Sequence, residues 1–127
     1  MAAALLPGDR LLVACLCADW CGSCREYRPT FDALAERFAR QARFVWLDVE
    51  DAADALGDPE IENFPTLLIS RDGVPLFFGP VTPQPQTAER LVRGALAGDF
   101  APVRNSAAVE LARRVEAASS LPSDDPP

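Results

Sequence analysis

The chain has 127 residues, of which 49% are hydrophobic and 24% charged, the balance of one ordinary globular domain with a real core. It has no histidine, and all 12 basic residues are arginine, which excludes Ser-His-Asp and Cys-His mechanisms, histidine-ligated metals and lysine Schiff-base chemistry. A net charge of -7 repels phosphate backbones, so nucleic acid is not an expected partner.

Residues 1–10 form a short, weakly patterned segment with a break at Pro7-Gly8. It lacks a basic leader and a long apolar run, so neither a signal peptide nor a membrane contact is expected, and the location defaults to cytoplasmic. Residues 11–17 are continuously apolar and too short for a helix, which predicts a buried strand. Residues 19–24 read as a turn leading into a helix over 25–40, where Tyr27, Phe31, Leu34, Ala35 and Phe38 recur at helical spacing. A second buried strand is expected at 44–49, rich in β-branched and aromatic residues. Residues 51–62 are acidic, with room for a short helix broken at Gly57 and Pro59. A third strand at 66–70 and a fourth at 74–78 flank Arg71-Asp72-Gly73, a hairpin turn signal.

The proline-rich run 79–86 is expected to break regular structure. Thr87 then reads as the N-cap of a helix to about residue 97. Residues 98–118 comprise a linker and a final helix capped by Asn105 or Ser106, with a thin stripe of Val109, Ala112 and Val115. That helix is expected to lie as a lid over a sheet edge. Residues 119–127 have the composition of a disordered tail. The order predicts an α/β fold over residues 11–97. Its first two strands are parallel through a right-handed crossover, and its last two form an antiparallel hairpin.

All four cysteines, Cys15, Cys17, Cys21 and Cys24, fall within ten residues, so they cannot staple distant loops and point instead to redox chemistry or metal ligation. Cys21 and Cys24 bracket Gly22 and Ser23 at the expected helix start. Free N–H groups and the helix dipole there favour a thiolate, and two cysteines three apart can close a small disulfide ring. Cys21, at the helix end, is the expected attacking thiol and Cys24, further in, the resolving one. Cys15 and Cys17 share one face of a strand. They read first as small buried hydrophobes. A sharper reading makes them extra thiols beside Cys24, able to form an alternative disulfide. A third reading joins all four cysteines in a zinc or iron–sulfur site.

The chain resembles the thioredoxin family over about residues 11–97. Trp20-Cys21-Gly22-Ser23-Cys24 is similar to the family's Trp-Cys-Gly-Pro-Cys. Pro29 stands where the family has a helix-kinking proline, Phe64-Pro65-Thr66 matches its hydrophobic-Pro-Thr with a cis proline, and Gly79 matches a glycine after the hairpin. The resemblance implies a thioredoxin-like fold: a central mixed sheet of about four strands flanked by helices, with the family's first strand and helix shortened. It implies a groove of Trp20, Phe64, Pro65 and Gly79 around Cys21 for a partner's extended segment. Gly22, Ser23, Pro29 and Cys15 would support the active site. The implied activity is reduction of client disulfides through a Cys21–Cys24 cycle, with no organic cofactor and a separate electron-donating reductase.

Three departures stand out. Cys15 occupies the place of the family's buried aspartate, Trp46 that of its neighbouring lysine, and Ser23 that of a proline. The family's proton relay is therefore absent, and its redox potential does not carry over. A metal-binding protein and a redox-inactive peptide adaptor using the same groove are the alternatives.

Overall fold

The computed structural model describes residues 11–18, 20–57, 61 and 63–119, the side chain of Ser119 excepted. Expectations for residues 1–10, Asp19, Pro59 and the tail beyond 119 fall outside these. The continuous apolar run forms β1 (Leu11–Cys17), buried on both faces along its whole length. A strand can be apolar at every position only if layers cover it on both sides, and that is the architecture found. After β1 come α1 (Gly22–Arg37), β2 (Ala42–Asp48), α2 (Ala53–Leu56), β3 (Thr66–Arg71), β4 (Val74–Pro80), α3 (Pro85–Leu96) and α4 (Ser106–Ser119).

The sheet order is β2-β1-β3-β4. β1 and β2 are parallel, with Cys15 opposite Trp46, and β1–β3 and β3–β4 are antiparallel. The hairpin turns at Asp72 and Gly73, both with positive φ (57° and 78°), the geometry that lets a tight turn follow the strands' twist. Period-two alternation splits β1 between two cores. Leu11, Val13, Cys15 and Cys17 face Cys24, Tyr27, Phe31 and Leu34 of α1 and Ala88, Val92 and Ala95 of α3. Leu12, Ala14 and Leu16 face Leu56 of α2 and Leu111, Ala112 and Val115 of α4.

Several boundaries differ from expectation. α1 starts earlier, at Gly22, and β2 at Ala42. The run 79–86 is not uniformly irregular, because Gly79 and Pro80 end β4 and Pro85 opens α3. The N-cap of α3 is Gln84 rather than Thr87. Proline suits the first helical position because its missing N–H would be unpaired there anyway. The Thr87 hydroxyl instead pairs with that of Thr82 at 2.6 Å.

The largest correction concerns α4. It covers the second face of the sheet instead of an edge. Asn105 caps it, its Oδ1 accepting the Ala108 N–H at 3.0 Å. The Arg43–Glu116 ion pair at 2.6 Å ties it to β2. Gly57 caps α2 with φ 78°, a left-handed conformation that calls for glycine, and a Cβ there would stand 3.0 Å from Nε of the flexible Arg114 side chain of α4. The connection before α4 partly covers the β4 edge, where Val103 N–H donates to the Pro75 carbonyl at 2.8 Å. Among the described residues no helix is long and apolar enough to cross a membrane.

Candidate active site

The parallel β1–β2 pair carries the chain to one end of the sheet, where β1 stops and α1 begins. Val49 N–H donates to the Cys17 carbonyl at 2.8 Å and fixes the end of β1. Cys21 N–H donates to the Ala18 carbonyl at 3.0 Å, which closes the turn and leaves Cys21 as the N-cap of α1. Cys21 is partly buried and its thiol is free, while Cys24, one turn in, is 1% exposed. Cys21 is thus the more accessible of the two cysteines at the start of α1. Gly22 and Ser23 between them are exposed, and a Cβ at Gly22 would meet nothing within 4 Å, so the mouth beside Cys21 is open.

The bridge in this structure joins Cys24 to Cys17, with Cα atoms 5.8 Å apart, and not to Cys21. Cys15 lies behind Cys17 with its sulfur 3.8 Å away. Three sulfurs, from Cys15, Cys17 and Cys24, are therefore packed together beneath a fourth at the mouth. Among the described residues no group of three or more His, Cys, Asp or Glu side chains is gathered as a metal ion requires.

Trp20 is 63% exposed, unusual for so large an apolar side chain. Its ring is held in place all the same. The indole Nε1–H donates to Glu50 Oε2 at 2.8 Å, and the ring meets Phe64 edge-on at 5.8 Å between centroids. Glu50 is itself placed by Asp48, whose Oδ1 accepts the N–H groups of Glu50 (2.8 Å) and Asp51 (3.0 Å). Residue identity alone did not single out Glu50; its acidic neighbourhood reads as a solvated face. The Phe64–Pro65 bond is cis, and the Pro65 carbonyl accepts the Val81 N–H at 3.1 Å. Val81 is a second residue the sequence did not flag. Cys21, Phe64 and Val81 all pack against the core that contains Cys24. Gly79 lies in β4 opposite Leu67, and a Cβ there would make an ordinary 3.5 Å contact with the Phe77 ring. Pro29 sits exposed inside α1, which continues past it.

The described buried polar residues are Thr66 and Ser70, so among the described residues no carboxylate is buried near Cys24. Burial pushes the Cys15 thiol up from 9.0 to about 12, against a smaller downward pull from the Arg28 guanidinium, which stacks 4.7 Å over the Trp46 ring. Tyr27 is likewise raised to about 12, by burial first and by Cys15 second, and its hydroxyl is buried without a hydrogen-bond partner among the described residues. Both groups keep their protons in the folded chain after the unfolded chain has lost them. Their stabilising contribution is complete below about pH 9 and declines as the pH rises toward 12. Urea midpoints should therefore fall between pH 8 and 11, by an amount worth on the order of a few kcal/mol. Cys15→Ala combined with Tyr27→Phe should flatten that decline; an unchanged slope would contradict the assignment.

A family model described as Thioredoxin matches residues 3–88, more than half of the chain. The chain belongs to the thioredoxin family. Thioredoxin-2 of Saccharomyces cerevisiae is 36% identical over 70 residues, 55% of this chain and 66% of its own length. Thioredoxin of Oryctolagus cuniculus is 36% identical over 66 residues, 52% of this chain and 62% of its own. The match thus spans a little under two thirds of these thioredoxins. The crystal structure of thioredoxin from Trypanosoma brucei brucei superposes with a TM-score of 0.61 at 22% identity, covering 75% of this chain and 82% of that one, which shows the shared thioredoxin fold.

Proposed function

We propose that the chain is a protein thiol–disulfide oxidoreductase that reduces client disulfides through Cys21 and Cys24. The observation that carries this reading is the pairing of a free, accessible thiol at the N-cap of α1 with a buried cysteine one turn inside the same helix. Family membership supports it. In the reduced protein the Cys21 thiolate attacks one sulfur of a client disulfide. A Cys21–client bond forms, the client bond breaks, and one client thiolate leaves. The Cys24 thiolate then attacks the Cys21 sulfur, expelling the second client thiol and leaving a Cys21–Cys24 disulfide. Two electrons and two protons pass to the client, and a separate reductase must return them.

The held Trp20 ring, Phe64, Pro65 and the open space at Gly22 line a docking surface for an extended client segment, and Gly79 borders it. Clients with disulfides and an electron-donating reductase are the implied partners; neither nucleic acid nor a membrane is among them. Clustered rather than scattered cysteines favour a reducing, cytoplasmic setting.

The test is capture. Prereduced Cys24→Ser, mixed with a disulfide-bearing client, should accumulate a covalent adduct at Cys21, because the second step has lost its nucleophile. The double variant Cys21→Ser/Cys24→Ser should give none. Equal adduct in both proteins would remove the Cys21 assignment.

A further inference from the structure

We infer that Cys17 is a third redox-active thiol, which takes Cys24 away from Cys21 and stores the oxidised state as a buried Cys17–Cys24 disulfide. The inference rests on the Cys21–Cys24 cycle proposed above and adds a step after it. Cys17 is 2% exposed at the end of β1, on the face that looks at the first turn of α1, and the structure holds it bonded to Cys24 while Cys21 is free. The two cysteines come from different elements, yet their Cα atoms are 5.8 Å apart, within the usual span of a disulfide. Cys24 is bonded to Cys17 on one side of the turn, and Cys21 on the other side is the N-cap of the helix whose first turn carries Cys24.

The step is an intramolecular exchange. The Cys17 sulfur attacks the Cys24 sulfur of the Cys21–Cys24 disulfide. The Cys17–Cys24 bond forms, the Cys21–Cys24 bond breaks, and Cys21 leaves as the thiolate. The proton lost by Cys17 ends on Cys21 or in solvent. One disulfide is present before and after, so no outside oxidant or reductant takes part. Cys15 ends the series: its sulfur lies 3.8 Å from that of Cys17, and Cys24 is bonded to Cys17 and not to Cys15.

The consequence is a change in chemistry at the mouth. A protein oxidised at Cys21–Cys24 has no free surface thiol. After the exchange Cys21 is free again, but its resolving partner is occupied. Such a chain can form a mixed disulfide with a client and cannot resolve it internally. It would then hold the client or pass it to another client thiol, which is disulfide exchange without net reduction.

Cleavage after Trp20 provides the test, since Cys17 and Cys24 lie on opposite sides of it and Cys21 and Cys24 on the same side. The reduced full-length chain is oxidised with diamide, free thiols are blocked, and the protein is unfolded and cut with chymotrypsin. In the wild type and in Cys15→Ala the two cysteine fragments should stay covalently linked, with the blocking label on Cys21. In Cys17→Ala they should separate and the label on Cys21 should be lost. Fragments that separate in the wild type overturn the inference, and so does linkage that survives Cys17→Ala. The wild-type result decides the matter even if Cys17→Ala does not fold. Client reduction by the prereduced wild type is read in parallel. Its failure would remove the oxidoreductase reading, while the fragment map still decides Cys17 by itself.

Discussion

Cys21→Ser is expected to bring disulfide reduction down to the uncatalysed background, a loss of several orders of magnitude, with little change in stability. The nucleophile of thiol–disulfide exchange is a thiolate, and a serine hydroxyl does not ionise near neutral pH. No other thiol can replace it: Cys15, Cys17 and Cys24 are at most 2% exposed, and a client disulfide cannot reach them without unfolding the end of β1. The exchange of oxygen for sulfur at a partly buried N-cap should leave the fold within about 1 kcal/mol, because the side chain keeps its shape and serine is a good capping residue. Insulin reduction coupled to dithiothreitol, read beside the thermal midpoint, separates the two effects. Equal turnover in wild type and Cys21→Ser would transfer the protein to the adaptor reading, in which the Trp20–Phe64 surface binds peptides without chemistry.

The elements that place this site were legible wherever local patterning and burial agree. β1 has the boundaries its apolar run predicts, and the Asp72-Gly73 turn sits where two strand-like runs demand it. Cys21 at the helix start followed from a single turn of sequence. The choice of disulfide partner was not legible. Period two puts Cys15 and Cys17 on one face, but only the stacking of α1 on that face tells which of them meets Cys24. Glu50 was hidden for a similar reason: its bond to Trp20 joins residues thirty apart in the chain, and a carboxylate in an acidic run carries no local sign of its partner. The start of α3 failed because proline is read as a breaker before it is read as an N1 residue.

The proposed cycle has to run with a cysteine at position 15, where the family resemblance implies a buried aspartate. A buried aspartate beneath Cys24 would bring a charge into the core. Position 15 is a thiol that burial keeps neutral, and the Arg28 guanidinium that pulls weakly against that burial stacks on the Trp46 ring. The inner pocket is apolar and rich in sulfur instead of ionic. Bond exchange among neighbouring sulfurs is the chemistry such a pocket can support without a buried charge.

Val115→Asp is expected to prevent folding. Val115 is fully buried on α4, in the layer where Leu111 and Ala112 cover Leu12, Ala14, Leu16 and Leu68 of the sheet. A carboxylate there would sit in an apolar core. Keeping it charged costs several kcal/mol, and protonating it at neutral pH still leaves a polar group among aliphatic side chains. Domains of this size are stable by only about 5–15 kcal/mol, so that cost consumes most of the margin. Leu111→Ala in the same layer should be milder, at about 2–5 kcal/mol for a truncated core leucine, and should lower the urea midpoint while leaving a cooperative transition. If α4 were only a lid on a sheet edge, both variants would stay folded with near wild-type midpoints, because surface substitutions rarely exceed about 0.5 kcal/mol. Circular dichroism and urea titration of the pair distinguish the two architectures. They also bear on the site, since β1 can present Cys17 to α1 on one face only while α4 keeps water from the other.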